Sequence, residues 1–226
     1  FMRQSPDYEA PLENQMLMGA LVETLETKGY WVKVRAEDYT GWVTNMGLRE
    51  LTDAEKDEWL SSPRWICTAE YSRVRTRPCA CSCSAPLCDF TMGNLARKGE
   101  GRRNGWVELI LPDGRNGWVP EADVTDFAER TASLVPSAKG IIDLACCFVG
   151  TPYMWGGNSI KHFDCSGLVK FCYYMNGLVL PRNASQQIKC GIPVADGEWE
   201  PGDLLFFGRK DPLKVTHVAL YIGEGK

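Results

Sequence analysis

The sequence predicts an α+β protein, in which a β-rich first half precedes a second half that contains both helices and strands. Three observations favour this class. A hairpin-like segment occurs twice before residue 127, and near Val135 the hydrophobic period changes from that of strands to that of helices. Hydrophobic residues make up 44% of the 226 residues, which is enough to bury a core.

Composition argues against two classes of protein, those that bind nucleic acid and those that span a membrane. Lys and Arg number 25 against 29 Asp and Glu, giving a net charge of −4. Such a chain has no general attraction for nucleic-acid phosphates. No stretch approaches the roughly 20 apolar residues of a membrane span. Any export signal is expected upstream of Phe1.

Two segments of the same pattern predict two β-hairpins, at residues 29–43 and 105–119. Each has Gly and Trp, an alternating strand, an acidic turn, and Gly-Trp-Val on the returning strand. Short strands are also predicted at residues 20–25 and 65–74, with the spacing of small β-barrels. Four tryptophans in the hairpins are expected to pack in barrel cores rather than stack on a ligand: Trp31, Trp42, Trp106 and Trp118.

This pair of modules resembles tandem bacterial SH3-like domains, with FMRQSP and RVRTRP as the opening strands. The resemblance implies two small SH3-like β-barrels, at residues 1–58 and 59–127. A few residues of the first barrel are then expected upstream of Phe1.

The second half begins with a predicted helix that Ser137 caps and Gly150 ends. A glycine-rich loop follows, and Cys165 then begins a second helix that ends at Gly177. The unpaired amides and the positive dipole end at a helix start favour a thiolate, so Cys165 is a candidate nucleophile. Cys172, inside the same helix, lacks this feature.

A thiolate nucleophile needs a proton acceptor, and the chain has two histidines. His217 lies in a predicted strand with apolar residues on both faces, where it is either a satisfied core residue or the catalytic base. His162 lies on the loop before Cys165, and its direction is not determined by the sequence.

Four strings in residues 135–226 carry a resemblance: TPYMWGGNSIKHFDCSGLV, LPRNASQQ, WEPGDLLFFG and THVALYIGEGK. In order and spacing they resemble the NlpC family of cysteine peptidases, which cleave peptide stems of the bacterial cell wall. The resemblance implies a papain-like α+β domain, with the cysteine-bearing helix packed on an antiparallel sheet. It implies a murein stem peptide as substrate, no metal or cofactor, and a periplasmic, envelope or secreted location, with cytoplasmic recycling as the alternative.

The resemblance also assigns catalytic roles. Cys165 is the nucleophile, His217 is the base and then the acid, and Tyr153 helps to hold the oxyanion. Tyr153 has an alternative role as the rim of an apolar pocket. The polar residue that orients the base is expected about a dozen residues after His217, beyond Lys226.

The resemblance also implies a substrate preference. Family members with a similar architecture prefer a free N-terminal L-Ala followed by γ-linked D-Glu. Asp164 is predicted to bind the ammonium group, or else to cap the catalytic helix. Ser166 and Ser185 are predicted to bind the D-Glu carboxylate. Arg182 is either a surface cation or a carboxylate clamp.

A run of cysteines, CACSCSAPLC, lies between the two hairpins. Zinc knuckles pair two such hooks, and here neither a second hook nor a histidine follows, so no metal site is predicted. The favoured interpretation is a surface loop whose thiols are reduced or locally paired; the sequence does not determine their redox state. The run contains Cys79, Cys81, Cys83 and Cys88.

Three functional hypotheses are compatible with these features. The leading one is an endopeptidase that hydrolyses the bond between γ-D-Glu and the diamino acid of murein stem peptides. The second is a non-catalytic binder of cell-wall peptides. The third is another thiol amidase or acyltransferase on the same fold, against which an ammonium pocket at Asp164 would argue.

Overall fold

The structure, a computed structural model, describes residues 1–226 and is an α+β fold, as the sequence predicts. The chain forms two compact units. One comprises Phe1–Gln15, Arg35–Trp42 and Leu134–Lys226, and the other comprises Met16–Val34 and Val43–Ser133. No helix combines the length and the apolar character that crossing a bilayer requires.

Five N-terminal strands form one open sheet. They are β1 (Met2–Arg3), β2 (Leu12–Asn14), β3 (Glu23–Lys28), β4 (Trp31–Ala36) and β5 (Tyr39–Thr44). Their order across the sheet is β2-β1-β5-β4-β3. The predicted first hairpin is confirmed as β4 and β5, and Trp31 and Trp42 are buried. The strand predicted at residues 20–25 begins later, and all of its side chains are exposed because its sequence, ETLETK, is polar. A 3₁₀ turn follows β5 at Asn45–Gly47.

Helix α1 (Asp53–Ser61) and a seven-stranded open sheet follow. The strands are β6 (Arg64–Cys67), β7 (Tyr71–Arg75), β8 (Pro86–Thr91), β9 (Leu95–Arg103), β10 (Trp106–Ile110), β11 (Asn116–Pro120) and β12 (Val124–Asp126). Their order across the sheet is β12-β6-β9-β10-β11-β7-β8. The predicted second hairpin is confirmed: β10 pairs with β11 up to Ile110 and Asn116, and Gly114 takes a positive φ of 88° in the turn. Residues 65–74 form two strands instead of one, because the first pairs with β9 and β12 and the second with β8 and β11. A 3₁₀ turn (Glu121–Asp123) lies between β11 and β12.

The remaining elements are mainly helical and end in a β-hairpin. The predicted Ser137 cap is confirmed, since its hydroxyl accepts from the Gly140 amide at 3.1 Å. The second predicted helix begins at Cys165, as expected. The elements are α2 (Phe127–Ser133), α3 (Ala138–Cys147), β13 (Asn158–Ser159), β14 (His162–Phe163), α4 (Cys165–Met175), α5 (Ala184–Gln187), β15 (Leu204–Arg209) and β16 (Lys214–Leu220).

Helix α4 is held by packing on two sides. On one side, Phe171 packs against Phe148 and Phe163, with ring centroids 5.7 and 5.3 Å away. On the other side, Val169 joins a cluster with Ala184 and with Val218 of the β15–β16 hairpin. The helix that begins at the candidate nucleophile therefore packs on an antiparallel pair of strands, as the predicted fold requires.

Candidate active site

Cys165 is the first residue of α4, and its side chain packs beside the cluster that contains Val218. The preceding loop lies very close to this first turn. A Cβ added at Gly167 would come within 1.9 Å of the Gly157 carbonyl oxygen. Glycine is therefore required two residues after Cys165, because a larger residue would push the loop from the helix.

Burial makes Cys172 a different kind of thiol. Its side chain is fully buried, and burial raises the pKa of the Cys172 thiol to about 12, with smaller contributions from Cys147 and Cys146. Such a thiol stays protonated and unreactive at neutral pH. Cys165 is only partly buried, so the two cysteines lie in different surroundings, and the difference in reactivity that the sequence predicts stays a prediction.

Asp164 caps α4, which confirms the capping alternative. Its Oδ1 accepts from the Gly167 amide at 2.7 Å, and its Oδ2 accepts from the Gly156 amide at 2.9 Å. The Ser166 hydroxyl also donates to Oδ1, at 3.3 Å. The carboxylate thus ties the loop to the first turn of the helix.

Arg182 is one of the most deeply buried side chains in the protein, with 1% of its surface exposed. Its interpretation as a surface cation is therefore wrong. The guanidinium binds the Asp164 carboxylate through two parallel hydrogen bonds, of 3.0 and 2.6 Å. Its other N–H groups donate to Asn14 at 2.7 Å, to the Ser166 hydroxyl at 2.9 Å and to the Gly157 carbonyl at 3.4 Å.

These contacts change the expected roles of three residues. A guanidinium has five N–H donors, and all five of Arg182 already have protein partners, so the carboxylate that it clamps is Asp164 and not a substrate group. The same contact pairs the negative charge of Asp164 with a positive guanidinium, and Ser166 is buried within it. Their direct substrate contacts remain predictions. Ser185, by contrast, is exposed on α5.

His217 lies on β16, the strand whose next residue, Val218, packs against α4. Its side chain is exposed, so the alternative of a satisfied core histidine is wrong. The ring lies 5.8 Å from the Phe207 ring on the paired strand, measured between centroids. Cys165 and His217 therefore lie on two elements, α4 and β16, that pack against each other. The two side chains do not form a hydrogen bond in this structure. Hydrogen bonds between catalytic groups often tighten only when substrate binds.

Tyr153 lies on the loop before Cys165, where its backbone bridges to Phe163. Its side chain is 64% exposed. The burial that the rest of the side chain keeps raises the pKa of Tyr153, the charges of Cys165 and Asp164 raise it further, and the charge of Arg182 lowers it by less. The phenol is therefore a neutral hydrogen-bond donor beside the candidate nucleophile. His162 lies on β14 and its Nδ1 is buried without a partner.

Sequence reasoning missed the contribution of two N-terminal segments that belong to the same compact unit as α4. Gln15 accepts through its side-chain oxygen from the Asn158 amide and the Ser159 hydroxyl, each at 3.0 Å. Asp38 accepts from the Arg182 amide at 2.9 Å. No motif marks these contacts, because the partners are more than 140 positions apart in the chain.

A second anchor from these segments holds α4 itself. Lys170 is buried, and its ammonium donates to Glu37 at 2.6 Å and to the Leu180 carbonyl at 2.8 Å. Asp38 lies 3.9 Å from the same ammonium. The negative charges of Glu37 and Asp38 are therefore compensated by a cation of α4.

Glu13 has a different partner, the Tyr39 hydroxyl, which donates to it. Burial raises the pKa of Tyr39 to about 12, and the hydrogen bond and charge of Glu13 add to the shift. Both side chains are only partly buried. The Glu13 backbone lies against the loop that precedes Cys165, about 3 Å from where a Cβ on Gly156 would be. Glu13 therefore lies beside that loop through its backbone, and its side chain is partly accessible to solvent.

Comparisons with known proteins agree with this arrangement. The NlpC/P60 family matches residues 150–226, and the bacterial dipeptidyl-peptidase Sh3 domain matches residues 2–48. A crystal structure of an NlpC/P60 family protein from Bacillus cereus superposes with a TM-score of 0.81 at 28% identity, covering 94% of this chain and 71% of that one.

Two of the relatives that share most of the chain are named gamma-D-glutamyl-L-lysine dipeptidyl-peptidase. The Bacillus cereus protein is 30% identical, and the match covers 95% of this chain and 66% of that protein. The Bacillus subtilis protein is 34% identical, and the match covers 95% of this chain and 71% of that protein. The helix-start cysteine, the strand histidine and these similarities together show that the chain belongs to the NlpC/P60 family.

Proposed function

We propose that this protein is a cysteine peptidase that hydrolyses the bond between γ-D-Glu and the diamino acid in murein stem peptides carrying a free N-terminal L-Ala. The observation that carries the proposal is Cys165 at the start of a helix clamped by the Asp164–Arg182 ion pair. The names of the relatives support the bond. A wall-peptide substrate favours action in the cell envelope or outside the cell, with cytoplasmic recycling as the alternative.

The reaction proceeds in two steps on the same thiol. The Cys165 thiolate attacks the γ-carbonyl carbon of D-Glu, and the developing oxyanion is stabilised by the Tyr153 hydroxyl and by amides at the start of α4. The His217 imidazolium protonates the leaving amine as the C–N bond breaks. Neutral His217 then takes a proton from water, whose oxygen attacks the thioester; the C–S bond breaks, releasing the dipeptide and restoring the Cys165 thiolate and the His217 imidazolium.

The free amine is proposed to bind Glu13 rather than Asp164. Asp164 already faces the Arg182 guanidinium, and Glu37 and Asp38 face Lys170. Glu13 has the neutral Tyr39 hydroxyl as partner, so its charge is available to an ammonium group. Exposed Ser185 is the better placed of the two predicted serines to donate to the D-Glu carboxylate.

Matched peptides test this proposal. The full chain is incubated with L-Ala-γ-D-Glu-diaminopimelate and with its N-acetylated form, and products are identified by mass. We expect release of L-Ala-γ-D-Glu from the free peptide, and at least about tenfold slower cleavage of the acetylated one, since a charged hydrogen bond contributes about 1.5–3 kcal/mol. Binding without cleavage would support the non-catalytic alternative.

The Glu13→Gln variant separates recognition from chemistry. We expect it to raise KM for the free peptide and to narrow the preference over the acetylated peptide, with kcat little changed. The control is Glu26→Gln, on the exposed strand β3, which should leave both parameters unchanged. Equal preference in wild type and Glu13→Gln would overturn the assignment of the ammonium site.

A further inference from the structure

The loop between β7 and β8 carries a cluster of three cysteines that the proposed peptidase chemistry does not use. Cys79, Cys81 and Cys83 alternate along the chain, and their sulfur atoms all lie within 4.8 Å of one another. The backbone explains the convergence, because residues 76–84 form bends and turns and the Cα atoms of Cys79 and Cys81 lie only 5.5 Å apart. We call these three residues the thiol cluster.

A hydrogen-bonded frame holds the loop that carries the thiol cluster. Ser84 is buried, and its hydroxyl both accepts from the Arg77 amide at 3.0 Å and donates to the Arg77 carbonyl at 2.9 Å. The Arg75 guanidinium donates to the Ser84 carbonyl at 2.8 Å. Inside this frame, the Cys79 amide donates to the Arg77 carbonyl and the Ser84 amide to the Cys81 carbonyl, at 2.8 and 3.0 Å. The sulfurs are therefore brought together by a closed loop.

Two states of the thiol cluster differ by two electrons. In this structure Cys79 and Cys81 form a disulfide, and the Cys83 sulfur lies 3.7 Å from that of Cys79. A phosphine supplies two electrons and is oxidised to the phosphine oxide, with water giving the oxygen and the two protons, and the product is three neighbouring thiols. Local pairing, one of the two states that the sequence left open, is thus present, but it engages only two of the three sulfurs.

We propose that the reduced thiol cluster binds a thiophilic d¹⁰ cation, Cu⁺ or Zn²⁺, through the sulfurs of Cys79, Cys81 and Cys83. Each thiol gives its proton to solvent as its sulfur bonds to the metal. Thiolates select such soft ions over hard cations such as Mg²⁺ and Ca²⁺. The zinc-knuckle rule of two paired hooks does not exclude this site, because three sulfurs meet within a single hook.

Access at the loop is consistent with metal entry. Cys81 and Cys83 are exposed, so an ion reaches them directly from solvent. Three thiolates complete a trigonal site for Cu⁺, whereas Zn²⁺ would take water as its fourth ligand.

The test uses the full chain with Cys165→Ser, so that the candidate catalytic thiol does not bind metal. The protein is reduced with a phosphine under anaerobic conditions and titrated separately with Cu⁺ and Zn²⁺ against a competing chelator. We expect one ion per chain and a near-ultraviolet sulfur-to-metal charge-transfer band. Retention of only one of the two ions would identify the cation and support the site.

Serine variants locate the bound ion. Cys79→Ser, Cys81→Ser and Cys83→Ser should each weaken binding by more than the roughly 10- to 100-fold that loss of a supporting hydrogen bond costs at metal sites. Cys88→Ser on β8 and exposed Cys190→Ser are the controls and should bind as tightly as the parent protein. The proposal is overturned if the reduced parent retains neither ion, or if any one of the three variants binds as the parent does.

Discussion

The ion pair between Arg182 and Asp164 is the contact whose loss should cost the most stability in the candidate site. In Arg182→Met, a flexible apolar side chain replaces a guanidinium that is 1% exposed. Asp164 would keep the Gly156 and Gly167 amides but would lose its only cation, which lies 2.6 Å away. Removing one partner of a buried ion pair costs about 3–5 kcal/mol, a large part of a typical stability of about 5–15 kcal/mol.

Urea unfolding measures this cost as a change in the free energy of unfolding. Adding Asp164→Asn to Arg182→Met removes the orphaned charge, so the double variant should be more stable than Arg182→Met alone. The matched control is Lys139→Met, which breaks an exposed ion pair with Asp143 on α3 and should leave stability unchanged. If Arg182→Met is as harmless as Lys139→Met, or if Asp164→Asn recovers nothing, the buried clamp does not organise the first turn of α4.

Three further outcomes are expected. His217→Ala should lose about 10²- to 10⁴-fold in kcat/KM whereas His162→Ala keeps most activity, and equal losses would return the identity of the base to question. Gly167→Ala, whose Cβ would lie 1.9 Å from the Gly157 carbonyl oxygen, should cost about 1–3 kcal/mol in urea unfolding, while Gly191→Ala, with open space around it, should cost nothing comparable. Because the pKa of Tyr39 is about 12 in the folded protein and about 10 when unfolded, its contribution to stability is complete below about pH 10 and is lost as the pH rises toward 12. The fall in stability between about pH 9 and about pH 11 should be smaller in Tyr39→Phe, and an unchanged fall would rule out this residue as a source.

Local patterns predicted much of this fold. Both hairpins, the Ser137 cap and the helix beginning at Cys165 depend on residues within a few positions of one another. Such features follow from turn chemistry and hydrophobic period alone. The strand expected at residues 65–74 divided in two because its halves pair with different partners, and periodicity carries no information about partners.

The surroundings of the site could not be predicted in the same way. Whether Asp164 would face a substrate or Arg182 depended on a contact across 18 positions, and the contribution of Asn14 depended on one across 168. The sequence placed the domain boundary near residue 135. The compact unit around α4 also includes Phe1–Gln15 and Arg35–Trp42, so removing everything before residue 135 would remove part of that unit.

Catalysis by the Cys165 thiol is tested by the rate at which Cys165→Ala releases L-Ala-γ-D-Glu from L-Ala-γ-D-Glu-diaminopimelate, compared with wild type. Alanine removes only the sulfur of a partly buried side chain, so the variant should fold, and circular dichroism verifies this. We expect the wild type to release the dipeptide and Cys165→Ala to release none above the uncatalysed rate. Release by a folded Cys165→Ala protein at the wild-type rate would show that Cys165 is not the nucleophile.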